Sequence, residues 1–165
     1  MSLVAINGSH SAASSTHALA ALAVELHGSG LVVDVVTLDP AGLIGTATSD
    51  DVQAVLTAIE EASILVLVTP IYRATYSGLL KVLFDQLPAA ALAGKVAVLA
   101  ATAGGPAHYL ALDTGGRALV ASLDGWTVPT VTYATSRDFD EAKRPNDEVR
   151  ASLAAALAEA AMLVG

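Results

Sequence analysis

Hydrophobic positions in this chain fall into short unbroken runs separated by segments of helical period. Residues 64–68 (ILVLV) and 96–101 (VAVLAA) are apolar at every position, the pattern of strands buried on both faces. Residues 3–7 and 32–38 read as two further strands. Residues 126–132 read as a fifth, where Pro129 argues for an edge position or a bulge. Between the strands, Leu19, Leu22, Ala23 and Leu26 share one helical face, and His27-Gly28-Ser29-Gly30 stops that helix. Val52, Val55, Leu56 and Ile59 mark a second helix with Asp50 as its cap, after a turn at Asp39-Pro40-Ala41-Gly42 and a weakly periodic stretch. From Gly78, the positions Leu79, Leu80, Leu83 and Phe84 mark a third.

A helix-like run over 107–123 contains Gly115-Gly116. Two glycines cost roughly 1 kcal/mol each in a helix interior, so the pair predicts a kink, a local irregularity or a close packing point. Residues 133–145 form an irregular excursion. A last helix then carries Val149, Leu153, Leu157, Ala160 and Val164 on one side, with Asn146 or Asp147 as its cap.

Strand and helix alternate, so the first two strands are joined by a crossover that makes them parallel and adjacent. The whole is a single doubly wound α/β domain over residues 1–165. Alternation alone does not separate a dinucleotide-binding strand order from a flavodoxin-like one. The first loop lacks G-x-G-x-x-G and only five strands are present, which favours a flavodoxin-like sandwich of order 2-1-3-4-5.

Composition changes this picture in three ways. The 165 residues are 54% hydrophobic and 15% charged, enough for a core without staples. There is no cysteine, which excludes disulfides, thiolate metal sites and cysteine nucleophiles. Sixteen acids against eight bases give a net charge of −8, which disfavours nucleic acid as a partner. An anionic small molecule would be held by local N–H groups and hydroxyls. No apolar stretch reaches membrane-spanning length and the first residues lack a basic leader segment, so a cytoplasmic protein with no membrane association is expected.

Strands 1, 3 and 4 each run into an unusual loop, at 8–16, 69–77 and 102–107. In the order 2-1-3-4-5 these strands are neighbours and the loops form one wall at the carboxyl edge. The first loop suits a phosphate. Gly8 permits a tight turn, Ser9, Ser14 and Thr16 offer hydroxyls, and the helix start offers unpaired N–H groups. The bland alternative is a serine loop whose last hydroxyl caps the helix. The second and third loops suit a flat aromatic ring. Tyr72 and Tyr76 offer apolar faces, Pro70 fixes the chain direction, and Gly104-Gly105 lets main chain approach a ligand. Half-buried packing for the tyrosines and an ordinary turn for the glycines are the plain alternatives.

Other chemistries fit less well. No G-x-S-x-G is present, and His108 and Asp113 are five residues apart, poorly spaced for one to orient the other on a helix. His10 and His17 read as surface residues, and no metal site is assigned. Lys81, Asp85 and Arg117 read as helix-surface, cap or interface residues.

Read together, Gly8-Ser9 with Ser14 and Thr16, the block Pro70-x-Tyr72-x-x-x-Tyr76-Ser77-Gly78-x-Leu80-Lys81 with Asp85, and Thr102-x-Gly104-Gly105-x-x-His108 resemble the NADPH-dependent FMN reductase family of flavodoxin-like proteins. Within it they are most similar to flavin reductases that partner alkanesulfonate or other luciferase-like monooxygenases. The resemblance runs to about Thr132 and fades in the tail. It implies that Ser9, Ser14 and Thr16 bind the FMN phosphate. Pro70, Ile71, Tyr72 and Arg73 bound the flavin, and Thr102, Ala103, Gly104 and Gly105 lie along the ring edge. Tyr76, Ser77, Gly78, Lys81 and Asp85 support the loop, the helix or a subunit interface.

Two departures stand out. The family commonly has a basic residue where this chain has Ser11, implying a weaker phosphate grip or compensation from another residue or subunit. The sulfonate-linked reductases carry an aromatic insertion, associated with a π-bulge at a tetramer interface, where this chain has Thr114-Gly115-Gly116. The resemblance further implies a homodimer or homotetramer. The activity it implies is hydride transfer from NADPH or NADH to FMN without a protein acid–base dyad, reduced FMN passing to an FMN-dependent luciferase-like monooxygenase. An FMN-containing quinone or azo reductase, or a flavodoxin-like electron carrier without a pyridine nucleotide site, is the alternative.

Overall fold

The structure, a computed structural model, describes residues 2–164. Leu3–Asn7 (β1), Leu31–Asp34 (β2), Ile64–Pro70 (β3), Val96–Ala103 (β4) and Trp126–Thr135 (β5) pair in parallel in the order β2-β1-β3-β4-β5, the expected flavodoxin-like arrangement. Side chains alternate between two cores, as the pleat requires. Leu3, Ala5, Ile64, Val66, Val68, Val96 and Val98 face one core. Helices α1 (Ser15–His27) and α6 (Asp147–Val164) cover it. Val4, Ile6, Leu65, Leu67 and Leu99 face the other, under α3 (Asp50–Glu61), α4 (Gly78–Phe84) and α5 (Arg117–Ala121). A four-residue helix, α2 (Pro40–Leu43), also packs on this side. No helix among the described residues is long and apolar enough to cross a membrane.

Three local expectations need correction, and one glycine has a packing role besides. β2 ends at Asp34 and not at residue 38, because Val35–Thr37 turn into a 3₁₀ helix and the Thr37 hydroxyl donates to the Asp34 carbonyl at 2.8 Å. The stretch from Asp39 is a capped helical turn: Asp39 Oδ2 accepts from the Gly42 N–H at 2.6 Å, and Pro40 sits where a missing N–H costs nothing. In α3, Ser49 holds the N-cap position and Asp50 lies in the first turn. Gly8 does not have a left-handed φ; glycine is needed because a Cβ there would lie 2.9 Å from Ser77 Oγ and 3.1 Å from Leu80 Cβ.

The 107–123 run is also broken differently from a plain kinked helix. Pro106–His108 is a 3₁₀ turn and Leu112–Gly116 is a turn of π-helix leading into α5. Both glycines are close packing points. A Cβ on Gly115 would come 3.2 Å from the Tyr76 ring, and one on Gly116 would come 3.2 Å from Leu99 and from Leu112. The irregularity therefore persists without an aromatic insertion.

β5 is both an edge strand and bulged. Its register jumps from Thr127, opposite Ala97, to Val131, opposite Leu99, so the segment holding Pro129 stands off the ladder. Arg117 fills the gap. Its guanidinium donates to Thr127 Oγ1 at 3.0 Å and to the carbonyls of Val128 and Pro129 at 2.6 Å each, and Nε donates to Asp113 at 2.9 Å. Beyond β5, Asp138 accepts from the Thr135 N–H at 2.7 Å and hydroxyl at 2.8 Å, and Asn146 caps α6 by accepting from the Val149 N–H at 3.0 Å.

Two consequences can be measured. Arg117→Ala should lower the unfolding free energy by about 2 kcal/mol in denaturant titration, since bulge carbonyls lose charge-assisted donors. Arg117→Lys should recover little, because one ammonium cannot span those acceptors and Asp113. The Thr135 backbone N–H and then its hydroxyl hold the Asp138 carboxyl below the usual range. A depressed folded value gives stability that is present above the ordinary carboxylate range and lost as pH falls through the folded value. Asp138→Ala should therefore cost roughly 1 kcal/mol at neutral pH, and the gap from wild type should shrink below about pH 4. A pH-independent gap would assign the effect to packing.

Candidate functional site

The carboxyl ends of β1, β3 and β4 carry three loops, and each is tied to the others by a specific bond. Gly8 N–H donates to the Val68 carbonyl at 2.8 Å, and Ser77 Oγ donates to the Gly8 carbonyl at 2.6 Å. Ile71 N–H donates to the Thr102 carbonyl at 2.8 Å. Thr16 and Thr102 share a hydrogen bond between hydroxyls at 2.7 Å, with Thr16 buried. Thr16 thus joins the first loop to the third, a long-range pairing that the sequence spacing alone does not show.

These ties shape a cavity of about 300 Å³. Of the residues expected at the site, Ser9, Ser14 and Thr16 line it at one side, Pro70, Ile71 and Tyr72 at another, and Thr102, Ala103 and Gly104 along a third. Arg73 and Gly105 do not line it. Arg73 sits with Ala74 at the exposed tip of a tight turn, both in the left-handed region (φ 51° and 64°), closed by reciprocal backbone bonds between Tyr72 and Thr75. Gly105 lies just behind, and its carbonyl accepts from the Tyr133 hydroxyl at 2.7 Å; burial pushes that phenol's pKa up. Ser15, Thr135, Ser136 and Phe139 also line the cavity and were not expected. The last three come from the end of β5 and the irregular tail, where neither periodicity nor motif marks them.

The first loop is organised around oxygens. Ser14 is the N-cap of α1 and accepts from the His17 N–H at 3.0 Å, which leaves its own proton to donate. Capping and ligand donation are therefore compatible. Ser9 is buried, accepts from the Ser11 N–H at 3.2 Å, and is held by Asn7 Oδ1 accepting from the Ser9 N–H at 3.0 Å. Asn7 donates in turn to Asp34 at 2.7 Å, and His17 Nδ1 meets the same carboxylate oxygen at 2.8 Å. His17 is thus a linked residue and not a bare surface one. Early N–H groups of α1 have no intrahelical acceptor, and the helix dipole favours negative charge at this end. This donor set fits a phosphate.

The other side fits a flat ring. A Cβ on Gly104 or Gly105 would meet no protein atom within 4 Å, so protein packing does not require glycine at either position. That edge is therefore open to the close approach of a ligand to the main chain. Tyr72 is half-exposed and stacks against His10, the ring centroids 5.5 Å apart and tilted by 32°. Tyr76 is partly buried against the core and Gly115, a loop anchor. His108 is exposed, and Asp113 is engaged by Arg117, so these two form no acid–base pair. Among the described residues no group of three or more His, Asp or Glu could hold a metal ion.

Comparison with known proteins bears on the same residues. The chain is 38% identical over 115 residues to the NADH-dependent FMN reductase SfnF of Pseudomonas fluorescens, and 39% identical over 115 residues to an FMN reductase (NADPH) of Pseudomonas aeruginosa. Each match covers 70% of this chain and 62% of the relative, so the chain spans less than two thirds of the relatives' length. An NADH:FMN oxidoreductase (EmoB), solved in its apo form, superposes with a TM-score of 0.90 at 35% identity, covering 99% of this chain and 90% of that one. Residues 1–140 match the sequence model of the NADPH-dependent FMN reductase family, which includes the three loops and most of the wall from the tail, and the chain belongs to that family.

Proposed function

We propose that this protein is a cytoplasmic NAD(P)H-dependent FMN reductase that supplies reduced FMN to a luciferase-like monooxygenase. The observation that carries the reading is the single cavity with two chemistries: hydroxyls and helix-start N–H groups at Ser9, Ser14 and Thr16, and an unobstructed glycine edge facing Tyr72. FMN held there would supply the acceptor for a hydride from the nicotinamide of NADPH or NADH. The chain's own work is binding and alignment. Ser14, Ser15 and Ser9 grip the phosphate, Thr16 and Thr102 hold the two loops at fixed spacing, and Tyr72 with Pro70 and Ile71 bounds the ring. N–H groups of the 103–105 edge stabilise negative charge that develops on the ring, and no side chain moves a proton. Both nicotinamide forms remain in the proposal, since relatives named for each are similar to this chain.

Release of the flavin to a partner is supported by the exposure of the cavity's rim: Tyr72, Gly104 and Ser136 all face solvent. Tyr109 and Leu110 form an exposed apolar pair beside the π-turn, which supports a homodimer or homotetramer joined there.

Absorbance at 340 nm tests the reading. NADPH or NADH should be oxidised by catalytic amounts of protein when free FMN is added; if the protein neither binds FMN nor accelerates that oxidation, the proposal fails. Faster turnover of quinones by flavin-loaded protein than of free FMN would instead favour a tightly held flavin. The ring edge has its own check. Gly104→Ala adds a Cβ that meets no protein atom within 4 Å and should leave the melting temperature unchanged, yet weaken FMN binding by about tenfold, or 1.4 kcal/mol. Unchanged FMN affinity would move the ring elsewhere.

A further inference from the structure

The phosphate loop, residues 8–16, contains no lysine or arginine. A dianionic group there would rely on dipoles alone, in a protein whose net charge is −8. Four of the basic side chains are engaged elsewhere by carboxylates: Lys81 by Asp85, Arg117 by Asp113, Arg144 by Asp140 and Arg150 by Glu25. Lys95 is engaged by the carbonyls of Glu60 and Ala62. Arg73 sits at the exposed turn tip and does not line the cavity, and Arg137 borders a separate cleft with Asp138, Asp140 and Arg144. Lys143 is different. Its ammonium donates to the carbonyl of Ala13, the residue just before the N-cap of α1.

That contact is built by the tail. Phe139 and Pro145 pair as an antiparallel bridge, and Asp140 N–H donates to the Arg144 carbonyl at 3.0 Å. The Asp140 carbonyl accepts from the Lys143 N–H at 2.9 Å, and its carboxylate accepts from the Arg144 N–H and Nε at 2.8 Å each. The result is a small hairpin whose tip, Glu141 to Lys143, borders a shallow cleft shared with Ala13, Ser14 and His17. Its stem residue Phe139 lines the main cavity. Lys143 itself has φ 60°, a left-handed conformation that glycine adopts without strain and a Cβ-bearing residue does not. Folding alone is better served by glycine at this position.

We infer that Lys143 is the cation for the FMN phosphate: its ammonium exchanges the neutral Ala13 carbonyl for a phosphate oxygen held at Ser14 and Ser15. The exchange costs little, because a bond to a neutral acceptor is replaced by one to an anion. The residue discriminates FMN from riboflavin, which has the same ring and no phosphate. This rests on the FMN reading above.

Quenching of flavin fluorescence on binding tests it, with FMN and riboflavin titrated into wild type, Lys143→Ala, Lys143→Gly and Lys143→Arg. Lys143→Ala should weaken FMN roughly five- to tenfold, as expected for an exposed charge-assisted bond, and leave riboflavin unchanged. Lys143→Gly should lose the same FMN affinity while its melting temperature stays level or rises, separating grip from folding. Lys143→Arg should retain most FMN affinity. The wild-type preference for FMN should shrink with added salt. Equal losses for FMN and riboflavin, or none for either, overturn the role of Lys143 while leaving the reductase reading intact. Wild-type protein that binds neither flavin overturns both.

Discussion

Ser77 Oγ reaches from the start of α4 to the carbonyl of Gly8 at 2.6 Å, and the geometry of the site depends on that contact. The same oxygen accepts from the Leu80 N–H at 3.3 Å and caps α4, while the Ser77 N–H donates to Thr69 Oγ1 at 2.9 Å. One buried hydroxyl therefore fixes the end of β3, the start of α4 and the first residue of the loop after β1. It also explains the glycine at position 8, because no side chain fits between Ser77 and Leu80. Buried polar atoms of this kind are costly when unpaired and orienting when paired. Ser77, Thr16 and Ile71 hold the three loops to one another, so the site is rigid at its base and exposed only at its rim.

Where the sequence was legible, one physical cause was enough. Strands buried on both faces have no solvent side, so β3 and β4 are written as unbroken apolar runs. β2 lies at the sheet edge with Leu31 exposed, so its pattern does not stop where its hydrogen bonding stops, and a 3₁₀ turn was read as strand. The caps Ser14 and Asn146 act over three residues and can be seen in sequence. The Asn7–Asp34–His17 chain depends on β1 and β2 lying in register, Asn7 beside Asp34, which emerges only after the sheet is assembled. Thr135, Ser136 and Phe139 left no mark because an irregular segment that packs against a site carries no period, and its position is dictated by where β5 ends.

An acidic protein with an anion-shaped site separates two scales of electrostatics. The net charge acts over distances that salt screens within about 10 Å. The site acts through N–H groups and hydroxyls at contact distance, where global charge matters little. That division would let the surface stay acidic while the proposed pocket takes a phosphate, and it puts unusual weight on any lysine or arginine that reaches the loop.

The wall formed by Thr135, Ser136 and Phe139 has a consequence for biogenesis. The phosphate loop and the ring edge are complete once residue 105 has been made, but the site lacks a side until the chain has been extended past Phe139. Its edge strand β5 is locked in place by α6 through Glu159, which accepts from the Thr130 N–H at 3.0 Å and hydroxyl at 2.6 Å. The cavity therefore has its full lining only when β5 and the last helix are in place. A ligand that needs this wall binds the finished domain and stabilises it by mass action.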